Sequence, residues 1–402
     1  MPSNLTMMDG LLLPSLLATL LGTVLAIGWL IDRAPGLGLL DRPGGRKQHA
    51  KPTPLVGGLG IGFGLIVIWL LVPSVRPDPW LVVGFCGMLV LGAIDDIREL
   101  PALRKLAIEL GLIACALSAA GVSLDHLGTL LPGVEVYAGW LALPIAVFGI
   151  ASVLNAVNMI DGVDGLSGGV ALAGFAALAT VAALAGDTAQ MQLALIPCAA
   201  IAGFLGYNLR FPGRPAARVF LGDAGSLSVG FLLGAYAVLI CQNSAIPAIV
   251  TVWAVALPLL DGLTVIQRRS ARGVGMTQPG ADHLHHLLRA WGVPETAIAL
   301  LETALAALFA AVGIVLWQIG AEEWVSLLLL LVLTLVFRVG SDRAWNLLNQ
   351  RGQVSGRADP RPSDPDEGMA VAAGVSIADS DNEPAAASRA PSGRNSNRGA
   401  DR

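Results

Sequence analysis

Apolar and polar positions alternate along this chain in long blocks rather than at helical or strand spacing. Apolar runs near or above the roughly 17-residue minimum for spanning a bilayer occur at about 11–31, 55–72, 80–94, 105–121, 139–157, 169–186, 191–207, 225–241, 245–266, 297–318 and 323–340. Eleven spanning helices are therefore expected. The second run, LVGGLGIGFGLIVIWLLV, is dense in glycine, which lets helices approach closely. The first is too long for a signal-peptide core and has no basic residue before it, so it reads as an uncleaved span.

Charge between the runs orients them. Twenty-four of the 25 Lys and Arg residues fall on alternate segments beginning with 32–54, and the other side carries only Arg76. Without the long tail the ratio is still fifteen to one. The positive-inside rule makes the rich side cytoplasmic, with the N-terminus outside and the C-terminus inside. Trp80, Trp140, Trp317 and Trp324 fall at expected outer ends and Trp29 near an inner end, where aromatic belts form.

Composition agrees. Hydrophobic residues make up 54% of the chain and charged residues 13%, against about 25% charged in soluble domains. The expected fold is all-α, a polytopic integral membrane helix bundle over residues 1–345. Residues 346–402, polar and without periodic apolar positions, read as a disordered cytoplasmic tail. Cys86, Cys115, Cys198 and Cys241 all lie in apolar runs without a CxxC pair, which suggests neither a disulfide framework nor a zinc site.

The polar loops with chemical content all fall on the expected cytoplasmic side. The most informative, NAVNMIDGVDGLSGGV at 155–170, places Asn155, Asn158 and Asp161 three apart, hence as neighbours on a continuing helix, and adds Asp164 among glycines. Carboxylate and amide oxygens without a nearby Lys or Arg suit a divalent cation. Asp and Asn in a glycine-rich turn are the simpler reading. A second loop carries Asp95, Asp96 and Glu99, then Lys105 at the mouth of the next span; adjacent carboxylates repel unless a cation lies between them. A third runs from Asn208 to FLGDAGS at 220–226. There Asp223 reads either as an N-cap or as part of a phosphate site at a helix start. A fourth, DHLHH at 282–286, puts His283, His285 and His286 in a loop with Arg268, Arg269, Arg272 and Arg289, an arrangement that fits phosphate better than zinc. The first cytoplasmic loop, with Arg46, Lys47, His49 and Lys51, could attract an anionic ligand or lipid headgroups. Acids for a metal beside cations for phosphates suit phosphoryl chemistry. Ion-coupled transport is the competing class, but its acids usually lie near the bilayer midplane, on broken helices between inverted repeats.

In order, RKQHAKPTPLVGG at 46–58, DDIRE at 95–99, NAVNMIDGVDGL at 155–166, FLGDAGS at 220–226 and HLHH at 283–286 resemble the polyprenyl-phosphate N-acetylhexosamine-1-phosphate transferases. The resemblance covers about 45 to 290. It implies an enzyme of the bacterial cytoplasmic (inner) membrane that moves a sugar 1-phosphate from a UDP-N-acetylhexosamine to undecaprenyl phosphate, releasing UMP. DHLHHLL and an eleven-span layout are similar to the branch using UDP-N-acetylglucosamine. The branch using UDP-N-acetylmuramoyl-pentapeptide has three consecutive histidines and ten spans. One departure is Glu99, where many relatives carry a third Asp. The resemblance further implies that Asp223 and Asp96 hold Mg²⁺ (Mn²⁺ as a substitute). It has Lys105 and the histidines hold phosphate oxygens, with Lys47 in the first loop. Asn155, Asn158 and Asn208 would line the nucleotide pocket. Asp95 would lie near the lipid phosphate, able to take its proton, with Asp161 and Asp164 as further catalytic acids. A phosphate monoester is mostly dianionic at neutral pH, so that base is helpful rather than required. A homodimer is compatible with this reading, and no nucleic-acid partner is expected.

Overall fold

The computed structural model describes residues 3–42, 52–243, 246–273 and 282–350. In chain order the elements are α1 (Ser3–Ile31), α2 (Ala34–Leu37), β1 (Leu40–Asp41), β2 (Thr53–Pro54), α3 (Gly57–Leu71), α4 (Pro79–Arg98), α5 (Ala102–Ala120), β3 (His126–Leu131), β4 (Val134–Tyr137), α6 (Ala142–Met159), α7 (Leu166–Leu184), α8 (Thr188–Asn208), α9 (Gly222–Asn243), α10 (Ala248–Ala254), α11 (Ala256–Ala271), α12 (Leu284–Ala290), α13 (Glu295–Gln318) and α14 (Glu323–Gln350). The fold is all-α. Its strands form two small antiparallel hairpins, β1–β2 and β3–β4.

Each expected apolar run falls on a helix, the ninth on the pair α10 and α11, which bends by 78° at Val255. Among the described residues eight helices are long and apolar enough to cross a membrane, and nine if the bent pair counts as one span. Of the remaining two, α3 is only 15 residues long, and α5 opens with Arg104 and Lys105. Exposed Leu and Val side chains along α1, α13 and α14 are the expected surface of a helix bundle facing lipid.

The helix boundaries follow local chemistry. Asp78 caps α4 by accepting the Trp80 N–H at 2.8 Å, with Pro79 at the first helical position. Asp187 caps α8 through Gln190 at 3.0 Å. At its other end α4 stops on Glu99, whose φ of 46° is left-handed, a conformation that β-carbon-bearing residues other than Asn and Asp rarely adopt.

The core is built around α9, which packs on α3, α4, α6, α7 and α10. Two close backbone approaches position its N-terminal turn. A β-carbon on Gly58 would lie 2.1 Å from Gly225 N, and one on Gly92 would lie 2.3 Å from the Asp223 carbonyl carbon. The segment before α9 is stitched to the start of α3 by Phe220 N to Pro54 O (2.9 Å), Gly57 N to Phe220 O (3.0 Å) and Gly58 N to Leu221 O (2.9 Å). The glycine-dense second run therefore does more than allow helix packing: it seats the LGDAG turn.

The last helix runs five residues past the expected end of the helical region at 345, to Gln350. At 1.5 Å per residue its 28 residues span about 42 Å, more than the roughly 30 Å of hydrocarbon. Its end packs Trp345 and Leu348 against Leu287 of α12. The tail expected to be disordered, from 351 on, lies outside the described residues, as does Lys47.

Candidate active site

Five of the expected residues meet at the adjoining ends of α4, α5, α6 and α9. Lys105 Nζ lies 2.7 Å from both Asp95 Oδ2 and Asp223 Oδ2. Asn158 donates to Asp223 Oδ1 and to Ser226 Oγ, each at 2.8 Å. Asp96 accepts the backbone N–H groups of Asp223 (2.8 Å) and Ala224 (3.1 Å). The N-terminus of α9 is thus capped by a carboxylate from another helix. Neither sequence reading of Asp223, cap or helix-start phosphate site, describes this arrangement: Asp96 takes the donors and releases the Asp223 side chain toward Lys105 and Asn158. Gly222, with φ 71°, makes room for it, since a β-carbon there would come within 2.7 Å of Asp96 Oδ2. Asp95 also accepts from Leu100 N at 2.6 Å, which fixes its carboxylate.

Asn155 lies one turn behind Asn158 and donates to Glu109 Oε2 at 2.9 Å. Glu109 is fully buried on α5, and its other oxygen has no hydrogen-bond partner among the described residues. Asp161 accepts from Ser167 Oγ at 2.5 Å. Loss of solvation pushes its carboxyl up to about 7, aided by the charges of Asp223, Asp96 and Asp164 and opposed by Ser167.

The histidines reach the same end of the bundle from the opposite side. A β-carbon on Gly162 would fall 2.9 Å from His285 Nε2, and Arg289 donates to Gly162 O at 3.2 Å. The rings of His285 and His286 are 4.1 Å apart, and those of His283 and His285 are stacked at 5.6 Å. His285 is fully buried, and neither of its ring nitrogens has a partner among the described residues. Burial, then the neighbouring His286, His283 and Arg289, pull its pKa down to about 2, so the ring is neutral.

Two other expected site residues are engaged by neighbouring loops and helices. Asp164 is buried and pairs with Arg210 Nε at 2.6 Å, while Arg210 also reaches Glu295 at 2.6 Å. Asp164 accepts Ala217 N as well, at 3.1 Å. Asn208 is buried, accepting from Gly165 N at 2.6 Å and donating to Val219 O at 2.9 Å. Together they tie the 161–165 turn to the 209–221 loop. The basic residues of the histidine loop are also engaged. Arg268 is buried, bonded to Asp342, Ser341 and the Asp282 carbonyl, and Arg269 and Arg272 face Asp282 at 3.6 and 3.7 Å.

Asp95 and Asp223 flank the Lys105 ammonium, and Asp96 sits beside them on the backbone of Asp223 and Ala224, so with all three acids ionised two negative charges are left over. All-oxygen donors with that deficit fit a hard divalent cation. The ligand geometry is not preformed: among the described residues no three His, Cys, Asp or Glu side chains are placed to hold one ion. Lys105 fills the space between Asp95 and Asp223.

A model of glycosyl transferase family 4 matches residues 79–241, the stretch that carries the acidic cluster. Over 318 residues, 77% of this chain and 86% of the relative, the sequence is 32% identical to the undecaprenyl-phosphate alpha-N-acetylglucosaminyl 1-phosphate transferase of Yersinia pestis. It is 30% identical to the proteins of the same name from Escherichia coli K12, over 83% of this chain and 91% of the relative, and from Haemophilus influenzae, over 86% and 98%. The chain belongs to glycosyl transferase family 4. Against that family frame, the sequence patterns passed over three acids of this transferase, Glu109, Asp261 and Glu302. All three are buried. Each is a lone carboxylate inside an apolar run, and that isolation was the available signal, because a buried acid needs a partner or a task.

Proposed function

We propose that this enzyme transfers an N-acetylhexosamine 1-phosphate, N-acetylglucosamine 1-phosphate first among them, from a UDP-sugar to undecaprenyl phosphate, releasing UMP. The product is the lipid-linked sugar that starts cell-surface polysaccharide synthesis. In this reading the enzyme sits in the bacterial inner membrane with eleven spans, and its acidic and histidine clusters face the cytoplasm. The names of its relatives support undecaprenyl phosphate as acceptor and N-acetylglucosamine 1-phosphate as the transferred group. The observation that carries the chemistry is the cluster of Asp95, Lys105, Asn158 and Asp223 at the helix ends, with His285 packed against Gly162 in the turn that follows Asn158.

Asp223 and Asp96 would hold Mg²⁺, with Asp95 beside them. When bound, the ion offsets the charge of the donor diphosphate. Lys105 is held between two carboxylates, so its ammonium is available to a phosphate oxygen only as those carboxylates find another cation. Asn158 fixes the rotamer of Asp223 from the other side. His283 and His286 would donate to phosphate oxygens and steady the charge gathering on UMP as it leaves. Asp95, oriented by Leu100 N, can accept the proton of a lipid phosphate monoanion. Asp164 and Asn208 act here as positioning residues for the 161–165 turn rather than as groups that touch substrate.

Purified enzyme with undecaprenyl phosphate, Mg²⁺ and a panel of UDP-sugars tests the assignment. UMP formed with UDP-N-acetylglucosamine supports it. Release of UDP instead would mean ordinary glycosyl transfer and overturn it.

A further inference from the structure

The seven residues of α12 are too few to form a stable helix alone, so its histidines must be held from outside. A carboxylate on α11 holds its N-terminal end, at His283 and Leu284. Asp261 Oδ2 lies 2.7 Å from His283 Nδ1, and Asp261 Oδ1 accepts the Leu284 N–H at 2.9 Å. Both side chains are buried, at 4% and 5% exposure. A carboxylate only accepts, so the proton of this bond belongs to Nδ1. Nε2 is then the one ring nitrogen free of Asp261. His285 stacks on His283 with the two rings within 3° of parallel, so fixing one ring orients the next. A bare helix cap would need the bond to Leu284 N and nothing from the imidazole.

We propose that Asp261 is a positioning residue for the transfer reaction: it sets the tautomer and plane of His283 so that Nε2 is the ring nitrogen presented to the donor diphosphate. The proposal rests on the reading of the histidine row as the phosphate-holding group. It follows the logic of an acid that orients a histidine by its far nitrogen.

The test combines kinetics with ¹⁵N spectroscopy of histidine-labelled enzyme in nanodiscs. UMP release from UDP-N-acetylglucosamine is followed for Asp261→Asn, Asp261→Glu, His283→Asn and the double variant Asp261→Asn/His283→Asn. Asp261→Asn should lower kcat roughly 10–100-fold, as loss of a supporting partner does elsewhere, with KM for the UDP-sugar within about threefold. Asp261→Glu should recover part of the loss. The double variant should be no slower than His283→Asn alone, because paired residues that act as a unit are not additive. The His283 signal, assigned by its absence in His283→Asn, should show a protonated Nδ1 that Asp261→Asn perturbs. A kcat within twofold of wild type in Asp261→Asn, multiplying losses in the double variant, or a neutral His283 carrying its proton on Nε2 would each overturn the proposal. If wild-type enzyme makes no UMP from any UDP-sugar, the reaction assignment fails instead, and the ¹⁵N spectrum still decides the Asp261–His283 bond.

Discussion

Lys105 reaches across 118 residues of sequence to Asp223, with Nζ 2.7 Å from Oδ2. The same ammonium touches Asp95 at 2.7 Å, so one cation serves two carboxylates from different helices. Lys105→Met should lower UMP release roughly 100-fold, the usual cost of losing one charged donor at a reacting phosphate. It should also vacate the space between the acids. The Mg²⁺-induced rise in melting temperature should therefore be larger in Lys105→Met than in wild type, which differential scanning fluorimetry can read.

Asp161 gives the metal-free protein a pH dependence. Its carboxyl is raised from 3.8 to about 7, so the folded chain keeps a proton that the unfolded chain has lost. Stability from this group is complete below about pH 4 and falls as pH rises through about 7. Asp161→Asn removes that loss. With chelator present, the variant should melt above wild type at pH 8, and the gap should close by pH 4.

Arg210 bridges Asp164 and Glu295, and thereby joins the 161–165 turn to α13. Asp164→Asn should lower stability by about 1–3 kcal/mol, less than a fully buried pair would because Arg210 is partly exposed. The loss should appear mainly as a higher KM for the UDP-sugar, with kcat reduced less, since the carboxylate shapes the turn. A variant with unchanged melting and a kcat collapse would return Asp164 to the catalytic set.

The clamp of α14 on α12 separates stability of the bundle from order at the histidines. Leu348→Ala removes a fully buried side chain from the small cluster with Leu287 and Trp345, a change worth about 2–5 kcal/mol in a well-packed core. The cluster stands apart from the main core. Hydrogen exchange should therefore quicken in 282–292 while the amides of α9 stay protected.

Much of this was legible in the chain itself. Apolar runs locate helices because a bilayer demands them, and acids and histidines grouped in loops point to one end of the bundle. Pairing was hidden. Nothing local says that Asp96 caps α9, that Lys105 bridges Asp95 and Asp223, or that Asp261 faces His283, because each bond joins residues far apart in sequence. Asp164 and Asn208 read as site residues for the same reason: their motifs named them, but their partners Arg210, Gly165 and Val219 could only be found in space. The 78° bend at Val255 was announced only by Pro258, in the first turn of α11, which has no N–H for the Ala254 carbonyl one turn back. Glu99 could be seen as a departure but not as a left-handed cap. Glu99→Gly should stabilise by about 1 kcal/mol, the cost of a β-carbon in that conformation, measurable as a rise in melting temperature without change in kcat.

The proposal that Asp96 of α4 and Asp223 of α9 hold one divalent cation at the diphosphate is tested most directly by a Mg²⁺ titration of Asp223→Asn, following UMP release. Asn keeps the shape and removes the charge. UMP release at saturating Mg²⁺ should fall at least roughly 100-fold, and half-maximal activity should require more Mg²⁺ than in wild type. Full activity at the wild-type Mg²⁺ concentration would show that the acidic cluster holds no catalytic ion.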